Sequence, residues 1–153
     1  MLLLNPKHHT REYPDARSRE IMLKTIDFFE RKGKRKLKAD DRDRVWYADF
    51  LDFVKRERIF ATLLTPAGYG AADCRWDTWR ICEFNEILGF YGLAYWYTWQ
   101  VSILGLGPIW MSANEKLKRR AATALTPPRR ALPAPPPATP PRGRRPCDRR
   151  RTW

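Results

Sequence analysis

The sequence predicts an all-α fold of four or five helices over residues 15–125, followed by a disordered tail. Three observations carry this prediction. Apolar residues recur at helical spacing in several segments, and helix start and stop signals bracket those segments. No period-two alternation persists long enough to form a strand. At residue 126 the composition changes in kind: the last 28 residues hold nine Pro and eight Arg, and no Ile, Val, Met, Phe or Tyr. Such a segment cannot bury a core. The chain therefore divides into an N-terminal extension (1–14), a helical domain (15–125) and a Pro/Arg-rich tail (126–153).

The first helix is predicted from Asp15 to Lys32, with Pro14-Asp15 as its start and Gly33 as its stop. Ile21, Met22, Thr25, Ile26 and Phe29 form its buried stripe. The basic run Arg31 to Lys38 reads as a solvated turn. A second helix is predicted from near Asp40, with Val45, Trp46, Phe50, Phe53 and Val54 as its apolar face. Leu64 to Gly70 is a loop by its Pro and Gly content. A third helix starts at the N-cap Asp77 and runs to about Leu88. A fourth spans about Phe90 to Leu104 and is ended by Gly105, Gly107 and Pro108. Ser112-Ala113-Asn114-Glu115 fits the S-x-x-E capping box and opens a fifth helix that ends near Leu125.

The formal net charge is +13, and residues 126–153 carry more than half of it. The strongly basic balance is thus largely a property of the tail and says little about the folded part. An Arg-rich tail could bind nucleic acid or an acidic partner through charge alone, without sequence specificity. The three cysteines, Cys74, Cys82 and Cys147, show no C-x-x-C spacing. That argues against a disulfide framework or a zinc site, and a cytoplasmic location is the expectation. Met1 to Pro6 is too short an apolar run for a signal peptide. His8-His9 has no evident metal-ligating partner, and no P-loop, dinucleotide fingerprint or nucleophile motif occurs.

Residues Ile87 to Ala113 form an uncharged run of 27, long enough to span a bilayer. Five glycine and proline positions inside it, with Gln100 and several hydroxyl side chains, favour a buried helical hairpin instead. Six aromatics lie between Phe90 and Trp99. Core packing is the commoner use of such residues, and a pocket wall is the alternative. Trp96, Tyr97 and Gln100 share one helical face, where a pocket wall would lie.

The order and spacing of motifs from Trp76 onward resemble acyl-CoA dehydrogenases. The residues are Trp76-Asp77-Thr78-Trp79-Arg80-Ile81-Cys82-Glu83-Phe84-Asn85-Glu86-Ile87-Leu88-Gly89, Gly92-Leu93-Ala94-Tyr95, Leu104-Gly105-Leu106-Gly107-Pro108-Ile109, then Asn114-Glu115 and Lys118. Ala113 stands where that family usually has Gly. The resemblance covers about residues 15–125 and implies the N-terminal helical domain of such an enzyme. It further implies FAD held between a middle β domain and a C-terminal helical domain, a Glu base in the latter, an acyl-CoA substrate oxidised to the 2-enoyl-CoA, and an electron-transferring flavoprotein as acceptor. The helical domain would wall the acyl pocket, through Trp96, Tyr97 and Gln100. The catalytic Glu and flavin-binding segments have no counterpart to map onto here, so the chain alone is expected to be an inactive fragment that binds no FAD. The abrupt loss of the family pattern after Leu125, in favour of residues with GC-rich codons, predicts that 126–153 is an out-of-frame extension.

Overall fold

The computed structural model describes residues 12–126. The tail from 127 onward and His8-His9 lie outside the described residues. Within them the protein is all-helical, with seven helices: α1 (Ala16–Lys32), α2 (Lys34–Arg42), α3 (Ala48–Arg56), α4 (Ile59–Leu64), α5 (Thr78–Tyr91), α6 (Leu93–Met111) and α7 (Glu115–Leu125). The expected all-α class holds. The number of helices exceeds the expected four or five because two predicted segments divide differently.

α1 forms as its signals dictate. The Asp15 Oδ1 accepts from the Ser18 N–H at 2.7 Å, satisfying one of the first-turn donors. Gly33, at φ +75°, ends the helix and sends its N–H to the Phe29 carbonyl at 2.9 Å. Ile21, Met22, Thr25 and Phe29 are buried.

The basic run is not a turn. Gly33 interrupts the helix for one residue, and Lys34 to Arg42 resume it as α2. Lys, Arg, Leu and Ala are all good helix formers, and tertiary contacts do the rest. Leu37 tucks into the core, and the Asp40 carboxylate sits 2.8 Å from Lys36 Nζ and 3.1 Å from Lys32 Nζ. Charge on this segment is thus partly neutralised within the fold rather than solvated.

The expected second helix begins later than Asp40. α2 closes in a Schellman turn: the Val45 N–H bonds the Asp40 carbonyl at 2.8 Å and the Arg44 N–H bonds the Asp41 carbonyl at 3.2 Å. Arg44 occupies the left-handed position of that turn, at φ +52°. Val45 and Trp46 are therefore thrown outward, 50% and 66% exposed, and are not part of the buried stripe. α3 then buries Phe50, Phe53 and Val54. A second left-handed residue, Arg58 at φ +56°, starts the short α4, whose Ile59, Ala61, Leu63 and Leu64 are all buried.

The core is aromatic. Phe28 stacks on Phe53 at 4.7 Å, Phe29 stacks on Tyr91 at 4.7 Å, and Tyr95 meets Phe29 and Phe50 edge-on at 5.0 and 5.1 Å. Trp99, fully buried, lies between Phe84 at 4.7 Å and Phe60 at 5.3 Å. These rings fasten α6 to α4 and α5.

α6 continues to Met111, through Gly105, Gly107 and Pro108, which were expected to end it. Each helical glycine costs only about 1 kcal/mol relative to alanine. Pro108 frees the carbonyl of Leu104, and that residue lies on the exposed side, where water can serve the carbonyl. The cap of α7 is Asn114 rather than Ser112. Asn114 Oδ1 accepts from the Leu117 N–H at 3.0 Å, while the Ser112 hydroxyl donates to the Ile109 carbonyl at 2.8 Å.

Candidate functional site

α5 and α6 form a hairpin joined at Gly92, and the hairpin presents one face of α6 outward. Tyr95 and Trp99 point into the core, with Ile103 and Leu106 packed behind them. The opposite face carries Leu93, Tyr97, Val101, Leu104 and Met111, which are 72%, 62%, 42%, 63% and 88% exposed. These positions repeat at steps of three, four and seven, so they line up along the helix. No charged residue interrupts them. Of the three residues expected in a pocket wall, Tyr97 stands on this open face and Gln100 lies half-buried beside it. Trp96 packs partly against the core at its edge. The face offers apolar surface, one phenol and one amide. Such a face suits the binding of an apolar partner or chain.

Two polar clasps hold the hairpin. At the N-terminal end of α5, the buried Arg80 donates from Nη2 to Asp15 Oδ2 at 2.9 Å and from Nη1 to the Asp73 carbonyl at 2.9 Å. This joins the start of α1, the 65–77 loop and α5. Burial raises the Asp15 pKa, but the Ser18 N–H and the Arg80 guanidinium outweigh it and hold the carboxyl far below the usual range. In the same loop, a Cβ on Gly70 would lie 2.7 Å from Cys74 Sγ, so the buried thiol requires glycine opposite it. Burial pushes the Cys74 pKa up, which disfavours the nucleophilic thiolate.

The second clasp lies at the α6–α7 corner. The Tyr69 hydroxyl donates to Glu115 at 2.8 Å, Lys118 Nζ lies 3.1 Å from the same carboxylate, and the Tyr69 ring stands 5.7 Å from Trp110. The Tyr69 hydroxyl and Lys118 lower the Glu115 pKa.

A cleft of about 700 Å³ lies between α2, the 43–47 turn and the α5–α6 junction, and shares Leu93 with the start of the α6 face. Its volume falls within the roughly 300–1,000 Å³ of small-ligand pockets. Trp46, Tyr47, Phe90 and Tyr91 supply ring surface, and Lys34, Lys38 and Arg44 supply positive charge. Trp46 stacks on Tyr47 at 4.4 Å. Tyr91 donates its hydroxyl to Glu30 at 2.7 Å, and burial together with that carboxylate raises its pKa. Lys32 is drawn in behind the cleft. Burial disfavours its charge, but Asp49, Tyr95 and Asp40 prevail and raise its pKa. Trp96, Tyr97 and Gln100 are not among the lining residues.

Sequence reasoning missed this cleft because it read Arg31–Lys38 as a turn and placed Val45 and Trp46 on the apolar face of a helix. The signal that could have found it was the surplus of good helix formers in 34–42. Among the described residues no group of three or more His, Cys, Asp or Glu side chains could hold a metal ion. None of the described helices is long and apolar enough to cross a membrane. Comparisons with known protein families, with curated proteins and with solved structures found no match.

Proposed function

We infer that residues 15–125 are the N-terminal helical domain of an acyl-CoA dehydrogenase-like flavoprotein, and that the open face of α6 walls its acyl pocket. The observation that carries this reading is the coincidence of two features on one helix. α6 bears the Leu104-Gly105-Leu106-Gly107-Pro108-Ile109 motif of the resemblance, and it leaves an uncharged apolar face with Tyr97 at its middle open to solvent. A helix face of that kind in a folded unit requires an apolar cover. An acyl chain and the neighbouring domains would supply it.

On this reading the FAD, the Glu base and the site for the electron-transferring flavoprotein involve segments beyond the helical domain. Hydride transfer requires flavin and base within contact distance of the acyl-CoA. The purified chain is therefore expected to be colourless and without acyl-CoA-dependent dye reduction. A yellow preparation that reduces dye would overturn that expectation.

The gene itself provides the direct test. Translation downstream of codon 125 in the other two frames is expected to continue into a middle domain of small, Gly- and Thr-rich strands. Absence of such a continuation in both frames counts against the family reading and against the tail as an out-of-frame extension. A graft supplies the functional test. Residues 15–125 placed ahead of the middle and C-terminal domains of a family member should give a flavin-loaded enzyme whose acyl chain-length preference shifts with Tyr97→Ala.

A further inference from the structure

We propose that the cleft between α2, the 43–47 turn and the α5–α6 junction is a binding site for a flat aromatic anion, one that does not involve Tyr97 on the α6 face. The shape of the ligand follows from the walls. Trp46 offers a ring that is 66% exposed and already backed by Tyr47 at 4.4 Å, so one of its faces is rigid and the other free. Phe90 and Tyr91, from the end of α5, also line the cleft, and Tyr91 is held in place by Glu30. Ring surface from two elements, the 43–47 turn and the end of α5, favours a planar ligand over a flexible chain, because stacking requires a π face.

The charge of the ligand follows from the rim. Lys34, Lys38 and Arg44 make no ion pair with any described residue, whereas Lys32 and Lys36 are spent on Asp40. Asp41 also lines the cleft without an ion-pair partner and opposes an anion, but the three free cations outnumber it. Arg44 adds a third observation. It holds the left-handed position of the Schellman turn, where glycine is the unstrained choice, and so keeps a guanidinium at the rim at a conformational cost. Backbone strain of this kind gathers at ligand sites.

The test uses the full chain and titration calorimetry with three probes: 2-naphthoate, the uncharged 2-naphthalenemethanol, and octanoate. The expected result is saturable one-to-one binding of 2-naphthoate, at least about tenfold tighter than either other probe. Trp46→Ala should weaken it about tenfold or more, and so should the Lys34→Gln, Lys38→Gln double substitution. These side chains lie at the surface, and unchanged thermal melts will report an intact fold. Arg44→Gly should weaken binding several-fold while raising the melting temperature, a pair of effects that a purely structural role would not produce. Tyr97→Ala on α6 should leave binding unchanged. Three outcomes overturn the proposal. Octanoate binding as tightly as 2-naphthoate would show that the rings do not select the ligand. Binding that survives Trp46→Ala would place the anion on the Arg-rich tail. Binding lost with Tyr97→Ala would place it on α6.

Discussion

α5 and α6 are neighbours in sequence, pack against each other, and are both apolar, yet they meet opposite fates. α5, with 14 residues, buries Phe84, Ile87 and Leu88, and also the charged Arg80 and Glu83. α6, with 19 residues and more apolar in sequence, buries only Tyr95 and Trp99. Burial here follows partners rather than hydropathy. α5 lies against α1 and α6 and has a polar clasp ready for Arg80. α6 has neighbours on one side only, and its other face keeps five large apolar side chains in solvent. A segment with such a face looks like one half of an interface.

The largest effect is expected where α6 does enter the core. Trp99→Ala removes a fully buried indole from between Phe84 and Phe60 and should cost about 3–5 kcal/mol. That is a large share of the roughly 5–15 kcal/mol that stabilises a typical domain. Trp99→Phe should cost far less, because Trp99 Nε1 makes no hydrogen bond that phenylalanine would forfeit. Urea denaturation of the two variants checks the pair. Equal losses would mean that the indole's shape, rather than its apolar volume, holds α6 down.

The clasp on α5 comes next. Asp15→Asn keeps a competent N-cap but leaves the Arg80 guanidinium, only 3% exposed, without its counter-charge. Breaking such a pair costs up to about 3–5 kcal/mol when both partners are buried. Asp15 is partly exposed, so about 2 kcal/mol is expected here. The pH dependence gives a sharper signature. The folded carboxyl titrates below its unfolded value near 4. The contribution of Asp15 is therefore complete above that value and is lost as pH falls toward the folded pKa. The stability difference between the native chain and Asp15→Asn should shrink between about pH 5 and pH 2. A difference independent of pH would show that Arg80 is held by the Asp73 and Thr62 carbonyls rather than by the Asp15 charge.

Much of this comparison was legible in the sequence, and the exceptions share a cause. Asp15 and Asp77 were readable as caps because their short carboxylates serve donors three residues on, within the same local segment. The α1 stripe was readable because it is strictly periodic. Val45 and Trp46 were misplaced because their exposure is set by a left-handed Arg44, and nothing in an arginine announces φ +52°. The Asn114 cap was hidden behind the stronger-looking Ser112 pattern, because the Ser112 hydroxyl turns back to the Ile109 carbonyl and leaves the first-turn donor to Asn114. Tyr97 and Gln100 were placed on one face by helical spacing alone, whereas Trp96, on the border of that face, packs partly against the core.

The continuation of α6 past Leu104 can be tested with a smaller, opposite effect. Gly105 and Gly107 have open space where a Cβ would stand, and neither adopts a positive φ. Alanine at either site should stabilise the protein by about 0.5–1 kcal/mol by restricting the unfolded chain and favouring helix. Were the helix to stop at Leu104, as the glycines and proline first suggest, the same substitutions would bring no gain.

The smallest change in stability is expected on the open face. Tyr97 and Leu104 are already 62% and 63% exposed in the folded chain, so Tyr97→Gln and Leu104→Gln remove little that folding buries. Glutamine also has a helix propensity close to leucine's, which keeps the backbone contribution small. Each variant should unfold within about 0.5 kcal/mol of the native chain. What should change is the surface. The native chain is expected to bind an apolar-surface dye and to self-associate at high concentration. The double variant should do less of both while melting at the same temperature. A loss above about 1 kcal/mol would mean that this face is packed in the folded chain, and the contrast with α5 would fail at its most exposed point.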